Sequence, residues 1–235
     1  MAKAKRPWIV LPHSTLQKIE DNLWAVENNV PGSTIGRRMC IIKRTDGSLL
    51  FYHAIPLEDA TLAEVKEWGS PKYLVLGHDQ HTVDAHAFAE KLGLKVYGPK
   101  KSEEGLRKKV TLEGILEDIP SDPSMDISSV PGTKHGETAI IVRSGGDARV
   151  SVLISDIIQN NPTEKIAFIF RLLGFAGGPK IVPVFRLLFL KDRAAVKETL
   201  LKWAAIPNLK RLVVFHGTIV ENDTAGALKS IAAAL

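Results

Sequence analysis

The run Tyr73-Leu-Val-Leu76, closed by Gly77, restricts the fold more than any other stretch of this sequence. Four successive apolar residues are too few for an amphipathic helix. They also lack the alternation of a strand with one wet face, so both faces must be covered. The run leads through a polar loop, Gly77–Asp84, into a helical segment ending at Leu92-Gly93, with Asp84 placed to act as N-cap. A second strand, Leu94–Tyr97, follows and is closed by Gly98-Pro99. Strand, loop, helix and strand make a βαβ unit. Its strands pair in parallel, which sets the loop at the carboxyl edge of the sheet, where α/β proteins place ligands.

The surrounding sequence has the same character. Leu23–Val26 reads as a short strand. Arg38–Lys43 and Ser48–His53 read as a hairpin around the Asp-Gly turn of Arg44-Thr45-Asp46-Gly47. A helix is expected from Thr61 to Trp68. Thr61 and Glu64 have capping-box spacing, Leu62, Val65 and Trp68 share a face, and Gly69 is placed for a left-handed stop. In the second half, Thr138–Arg143 and Arg149–Ile154 are strands joined through Ser144-Gly-Gly-Asp147. Asp192 can cap a helix that runs to about Ala205, with Val196, Leu200 and Trp203 inward. Arg211–Phe215 is a buried strand ending at His216-Gly217, and a last helix starts near Asn222-Asp223-Thr224. With neither repeat nor low-complexity linker, the expectation is one α/β domain over 1–235, with residues 1–10 a flexible basic tail. Ile166–Leu190 stands apart: it is strongly apolar but broken by Gly174, Gly177-Gly178-Pro179 and Pro183, and it carries Arg171, Lys180 and Arg186. It reads either as two buried helical pieces around a Gly-rich turn, or as an apolar lid, lipid contact or homodimer surface. It lacks the roughly 20 uninterrupted apolar residues of a membrane span, so no stable membrane insertion is expected.

Composition narrows the chemistry. A single cysteine, Cys40, allows neither an internal disulfide nor a thiolate-rich zinc cluster, so any metal must be held by imidazole and carboxylate. The net charge of +5 is mild, the lysines are scattered, and no nucleic-acid motif accompanies them. No apolar run of signal type follows the basic start, so the cytoplasm is the expected location. Glycines at Gly174–Gly178 lack the Lys-Ser or Lys-Thr of a phosphate loop, and no Gly-x-Ser-x-Gly elbow occurs. The seven histidines, by contrast, are unevenly placed. His78, His81 and His86 lie in or beside one loop, His135 precedes a strand, and His53, Asp156 and His216 each stand where a strand runs out. Strand ends in a buried sheet are rigid, and neutral imidazole with carboxylate suits Zn²⁺, Fe or Mn²⁺.

These landmarks resemble the metallo-β-lactamase fold superfamily over roughly residues 20–225. Val75-Leu-Gly-His78 resembles the strand that enters the superfamily's His-x-His-x-Asp-His loop, and Val130-Pro-Gly-Thr-Lys-His135 resembles the segment that brings the next histidine. Val152-Leu-Ile-Ser-Asp156 resembles the strand ending in the bridging aspartate, and Val213-Val-Phe-His216 the strand ending in the last histidine. The resemblance implies an αββα four-layer sandwich with a metal site at one edge. The ligand pattern departs from it. Counting from His78, the second histidine falls on Gln80, the aspartate on Thr82 and the third histidine on Val83. Counting from Pro131-Gly132, Thr133 stands where histidine is usual, and His135 follows two residues later. His78, Asp156 and His216 match position for position. The sequence is also similar to branches of the superfamily in which this loop is degenerate.

The resemblance therefore implies a metallohydrolase-like protein with an altered or mononuclear site. The candidate ligands are His78, His81, His135, Asp156 and His216, holding one Zn (or Fe or Mn) ion. Water would attack a carbonyl or phosphoryl small-molecule substrate. Asp79 or Asp84 would serve as catalytic general base, as the family's loop aspartate does. The other expectation is a metal-free member of the fold that acts as a binding or scaffold protein, since Gln80, Thr82, Val83 and Thr133 stand at ligand positions.

Overall fold

The computed structural model describes residues 6–165 and 168–235; residues 1–5 of the expected tail, and 166 and 167 of the apolar stretch, lie outside it. The chain divides into two units, Met1–Asp126 and Ile127–Leu235.

The first unit is built on a sheet whose strands lie in chain order: β1 (Gln17–Glu20), β2 (Leu23–Asn29), β3 (Gly36–Lys43), β4 (Ser48–Tyr52), β5 (Ser70–Val75), β6 (Lys95–Gly98) and β7 (Gly114–Ile115). β1 to β4 form an antiparallel meander, whereas β4 to β7 pair in parallel. Parallel neighbours need crossovers, and the helices α1 (Asp59–Trp68), α2 (Ala85–Leu92) and α3 (Glu103–Arg107) supply them. Alternate residues of the strands, including Met39, Ile41, Leu49, Phe51, Leu74 and Val96, bury against Leu62 and Val65 of α1, Phe88 of α2 and Leu106 of α3. The intervening Cys40, Ile42, Leu50, Tyr73 and Val75 are buried as well, as the unbroken apolar runs require. Full burial of each such side chain contributes roughly 1.5–3 kcal/mol. Burial also pushes the Cys40 thiol up to about 12, leaving it a small core residue.

Three local expectations are corrected here. α1 starts at Asp59, two residues early, because the Leu62 N–H already donates to the Glu58 carbonyl at 2.8 Å. No side-chain cap is used, and the Glu64 carboxylate reaches Lys18 Nζ at 2.8 Å instead of the helix start. Gly69 is extended (φ −174°) rather than left-handed, since the chain passes straight into β5. Glycine is needed there for close approach: a Cβ would come within 2.7 Å of the Gly47 carbonyl oxygen. The described end of the basic tail is also held, because Arg6 Nη1 donates to Asp84 at 3.0 Å and Trp8 stacks on Phe88 with centroids 5.6 Å apart.

The second unit has a sheet in the order β13-β10-β9-β8, formed by β8 (Met125–Ser129), β9 (Thr138–Ser144), β10 (Arg149–Ile154) and β13 (Leu209–Val214). β9 and β10 are antiparallel, while β10 and β13 are parallel. The helices α6 (Arg193–Ala204) and α7 (Thr224–Ala233) close a core of Val152, Ile154, Leu212 and Val214 with Val196, Leu200, Trp203, Leu228 and Ile231. Asp192 caps α6 by accepting the Ala195 N–H at 3.0 Å, and Asp223 caps α7 through the Gly226 N–H at 3.0 Å.

The apolar stretch after Ile166 is not a pair of buried helices. A ribbon of β11 (Gln159–Asn161) and β12 (Gly177–Lys180) anchors its middle, and Ile181, Val182 and Leu190 are buried. The short helices α4 (Phe168–Leu172) and α5 (Pro183–Leu188) flank that anchor, and their leucines face outward, Leu172 68% and Leu187 75% exposed. Among the described residues, no helix is long and apolar enough to cross a membrane.

The β3–β4 turn is fastened to residues 120–124 through Asp122. Burial pushes the Asp122 carboxyl up, but hydrogen bonds from Ser124 and Thr45 outweigh it and hold it below the usual carboxylate range. A lowered folded-state value means stability that is present above the unfolded value of about 3.9 and lost as pH falls through the folded one. The variant Asp122→Asn is therefore expected to be less stable than wild type near neutrality in urea titrations. The gap should close as pH falls below about 4. A gap unchanged by acid contradicts this account.

Candidate functional site

In the first unit, parallel pairing sets the ends of β4 and β5 side by side. Tyr52 is in register with Val75, and the His53 N–H donates to the Val75 carbonyl at 2.9 Å. His53 turns out of the strand in the left-handed region (φ 67°), a conformation that non-glycine residues enter only when their surroundings hold them there. Its ring lies 4.4 Å from that of Tyr52 and 6.1 Å from that of His81. His78, three residues past β5, is buried, and its ring centroid is 4.9 Å from that of His81. Three imidazoles thus gather at one carboxyl edge. His53 lies outside the ligand set read from the sequence; its position at the end of a predicted strand is the signal that marks it.

The His78 ring already has one defined role. Its Nδ1 accepts the Gln80 N–H at 3.1 Å, so in the neutral ring the proton sits on Nε2. A metal ion on either nitrogen would displace that arrangement, because neutral imidazole has only one lone pair to give. Binding at Nδ1 replaces the Gln80 bond directly. Binding at Nε2 drives the proton to Nδ1 and breaks the same bond.

The two loop carboxylates differ sharply. Asp84 is buried, accepts Arg37 Nη2 at 2.6 Å and Arg6 Nη1 at 3.0 Å, and makes no cap bond to α2. Burial lowers the Arg37 guanidinium from its ordinary value, opposed by its hydrogen bond to Asp84. Arg37 is further fixed by donating to Asn28 Oδ1 at 2.8 Å. The expectation of Asp84 as the cap of α2 is corrected, since its carboxylate is engaged by two guanidiniums instead of the helix start. It fastens the end of the loop to β3. Asp79 is half-buried and packs over α3, where a Cβ on Gly105 would stand 2.4 Å from its Oδ2; its carbonyl accepts Lys109 Nζ. His86, on α2, faces Glu90 at 3.5 Å along its own helix. His13 bridges neighbouring backbone, its Nε2 accepting the Glu58 N–H at 3.2 Å.

In the second unit the same logic repeats. Ile154 and Val214 are register partners in the parallel pair β10–β13, so residues two positions on, Asp156 and His216, arrive together. Both are buried, with His216 Nε2 3.3 Å from Asp156 Oδ1. The turn after Asp156 is held by a buried carboxylate, Glu137, which accepts the Ile157 N–H at 2.9 Å through Oε1 and 3.1 Å through Oε2. Glu137 goes unremarked in the sequence reading; an acid directly preceding an apolar strand is the available signal. Thr133 has a structural task, donating from Oγ1 to the Val130 carbonyl at 2.7 Å and accepting the Glu137 N–H at 3.0 Å. His135 stands half-buried against Phe189, ring centroids 5.5 Å apart.

The donor types, imidazole and carboxylate on rigid strand ends, fit a borderline metal such as zinc. Gln80 and Val83 are exposed, and the Thr133 hydroxyl is engaged within its own turn.

No family model and no curated protein matches this sequence. Solved structures do. The DIM-1 metallo-β-lactamase exposed to ceftazidime aligns with a TM-score of 0.63 at 11% identity, over 96% of this chain and 99% of that one. The metallo-β-lactamase FIM-1 from Pseudomonas aeruginosa, in its mono-zinc form, aligns at 0.59 and 13% identity over 96% of each chain. A metallo-β-lactamase from Hirschia baltica aligns at 0.59 and 12% identity, over 94% of this chain and 98% of that one. At such identities the likeness reports on fold alone.

Asp84→Asn is expected to leave the buried Arg37 charge without its counter-ion and to cost about 3 kcal/mol in urea unfolding. Its metal content per folded molecule should match wild type. A stable variant, or a folded one that has lost metal, would assign Asp84 to the site instead of to the scaffold.

Proposed function

This chain has the metallo-β-lactamase fold, an α/β protein of the αββα sandwich class, and from that premise we propose that it is a metallohydrolase-like protein working with one metal ion. The carrying observation is the Asp156–His216 pair, delivered by strand register to a buried point with 3.3 Å between carboxylate and imidazole. In the first unit, His78 and His81 gather with His53 at the corresponding sheet edge. His135 is the least supported member of the expected set, because its ring is packed against Phe189. The mono-zinc form of FIM-1 is a precedent for one zinc in this fold.

When bound, such an ion polarises a carbonyl or phosphoryl oxygen and lowers the pKa of its water toward neutrality. The chain's own residues supply the rest. Asp79, adjacent to His78, is the loop carboxylate proposed as general base, and Asp84 holds the loop through Arg37. Glu137 fixes the turn that presents Asp156. The substrate is a small molecule with a hydrolysable carbonyl or phosphoryl group.

A metal-free binding protein is the second reading. It is favoured by the engaged Thr133 hydroxyl and, separately, by the Gln80 N–H bond to His78 Nδ1, each of which occupies a polar atom without an ion.

Elemental analysis of protein purified without chelator separates the two. About one equivalent of a single transition metal is expected, with His78→Ala and Asp156→Ala each losing most of it. Less than about a tenth of an equivalent, together with a melting temperature indifferent to EDTA and to added zinc, would establish the metal-free reading.

A further inference from the structure

Five of the eight large apolar side chains exposed among the described residues fall in one short stretch: Ile169, Leu172, Leu173, Leu187 and Leu188. They sit on a built module. Gly174, left-handed at φ 81°, ends α4 directly against Pro183 at the start of α5, so that a Cβ on Gly174 would stand 2.9 Å from Pro183 Cδ. Phe175 and Phe185 lock the same junction with ring centroids 5.5 Å apart. The base is secured by the Lys134 N–H donating to the Phe189 carbonyl at 2.7 Å and by the buried Ile181, Val182 and Leu190. The outward leucines are therefore held up by a fixed base.

Charge identifies the occupant. From Ile169 to Lys191 there is no aspartate or glutamate, while Arg171, Lys180, Arg186 and Lys191 all carry positive charge. Outside this stretch the chain is nearly balanced, with 31 Lys and Arg against 26 Asp and Glu in the whole sequence, so the excess is concentrated here. Apolar tips beside cations are the pattern of a surface that enters the headgroup layer of an anionic membrane: the leucines bury apolar area, and the exposed Arg171 and Lys191 meet lipid phosphates and carboxylates. A second copy of the chain is the poorer occupant, since a two-fold contact would set the same four cations against one another with no acid in the segment to pair them.

We propose that the module from Ile169 to Lys191 docks this protein peripherally onto an anionic lipid surface. No spanning segment is involved, and the donors at the strand ends of β5, β10 and β13 take no part in it.

Vesicle cosedimentation of the full chain tests this, with phosphatidylcholine vesicles compared with vesicles that also contain phosphatidylserine. Binding should be at least about tenfold stronger to the anionic vesicles and weaken with salt. The double variant Leu172→Gln, Leu187→Gln and the double variant Arg171→Glu, Lys191→Glu should each lose about tenfold, with thermal unfolding unchanged because these side chains are exposed. Equal binding to both vesicle types, or wild-type binding by the leucine variant, overturns the proposal. So does a stable dimer in sedimentation velocity that the leucine substitutions dissociate while vesicles bind neither form; the patch would then belong to a second copy.

Discussion

Parallel strand pairing decides where this chain can put chemistry, because it sends neighbouring carboxyl ends to the same edge. In the first unit the register of β4 on β5 is fixed by residues buried on both faces, such as Leu50 and Phe51 on β4 and Leu74 and Val75 on β5. A one-residue slip would exchange the two faces of the sheet, so the register is strongly specified. His53 then has no choice but to bond the Val75 carbonyl, and His78 follows three residues on. In the second unit the pairing of Ile154 with Val214 does the same for Asp156 and His216. The donors are placed by the core, not by the loops that carry them.

Thr133, which stands where the resemblance leads to histidine, has a structural task instead. Thr133 closes the turn between β8 and β9 with two hydrogen bonds, and the neighbouring Gly132 carbonyl accepts the N–H groups of both Lys191 and Asp192. The approach is close enough that a Cβ at Gly132 would stand 2.2 Å from the Asp192 carbonyl oxygen. A histidine at position 133 would lack the short hydroxyl that makes both contacts. Likewise the loop after β5 ends in a carboxylate committed to Arg37, which trades a possible reactive group for a fastened loop. Both contacts favour rigidity within their own unit.

What the sequence makes legible is what local chemistry determines. The βαβ unit around Tyr73–Leu76, the Asp-Gly hairpin of β3 and β4, the Asp192 cap and the strand-end positions of His78, Asp156 and His216 all rest on neighbours within a few residues. What escapes it is set by distant partners. Asp84 looks like a helix cap, yet its carboxylate is claimed by Arg37, 47 positions away, and by Arg6, 78 positions away. Arg6 and Trp8 look like a loose tail until Asp84 and Phe88 are in place. The apolar stretch after Ile166 looks like core by composition, and only the β11–β12 ribbon shows which of its residues are turned outward.

The proposal rests on metal binding by imidazoles at the strand ends, and side-chain nitrogen NMR of histidine-labelled protein, recorded before and after zinc is added, addresses it most directly. The account predicts that the ring nitrogens of His78, His81 and His216 move. The Gln80 amide should shift with them as its bond to His78 Nδ1 is lost, while His13 and His86 stay in place. Zinc-induced shifts confined to His13 and His86, or a Gln80 amide unmoved by zinc, would contradict it.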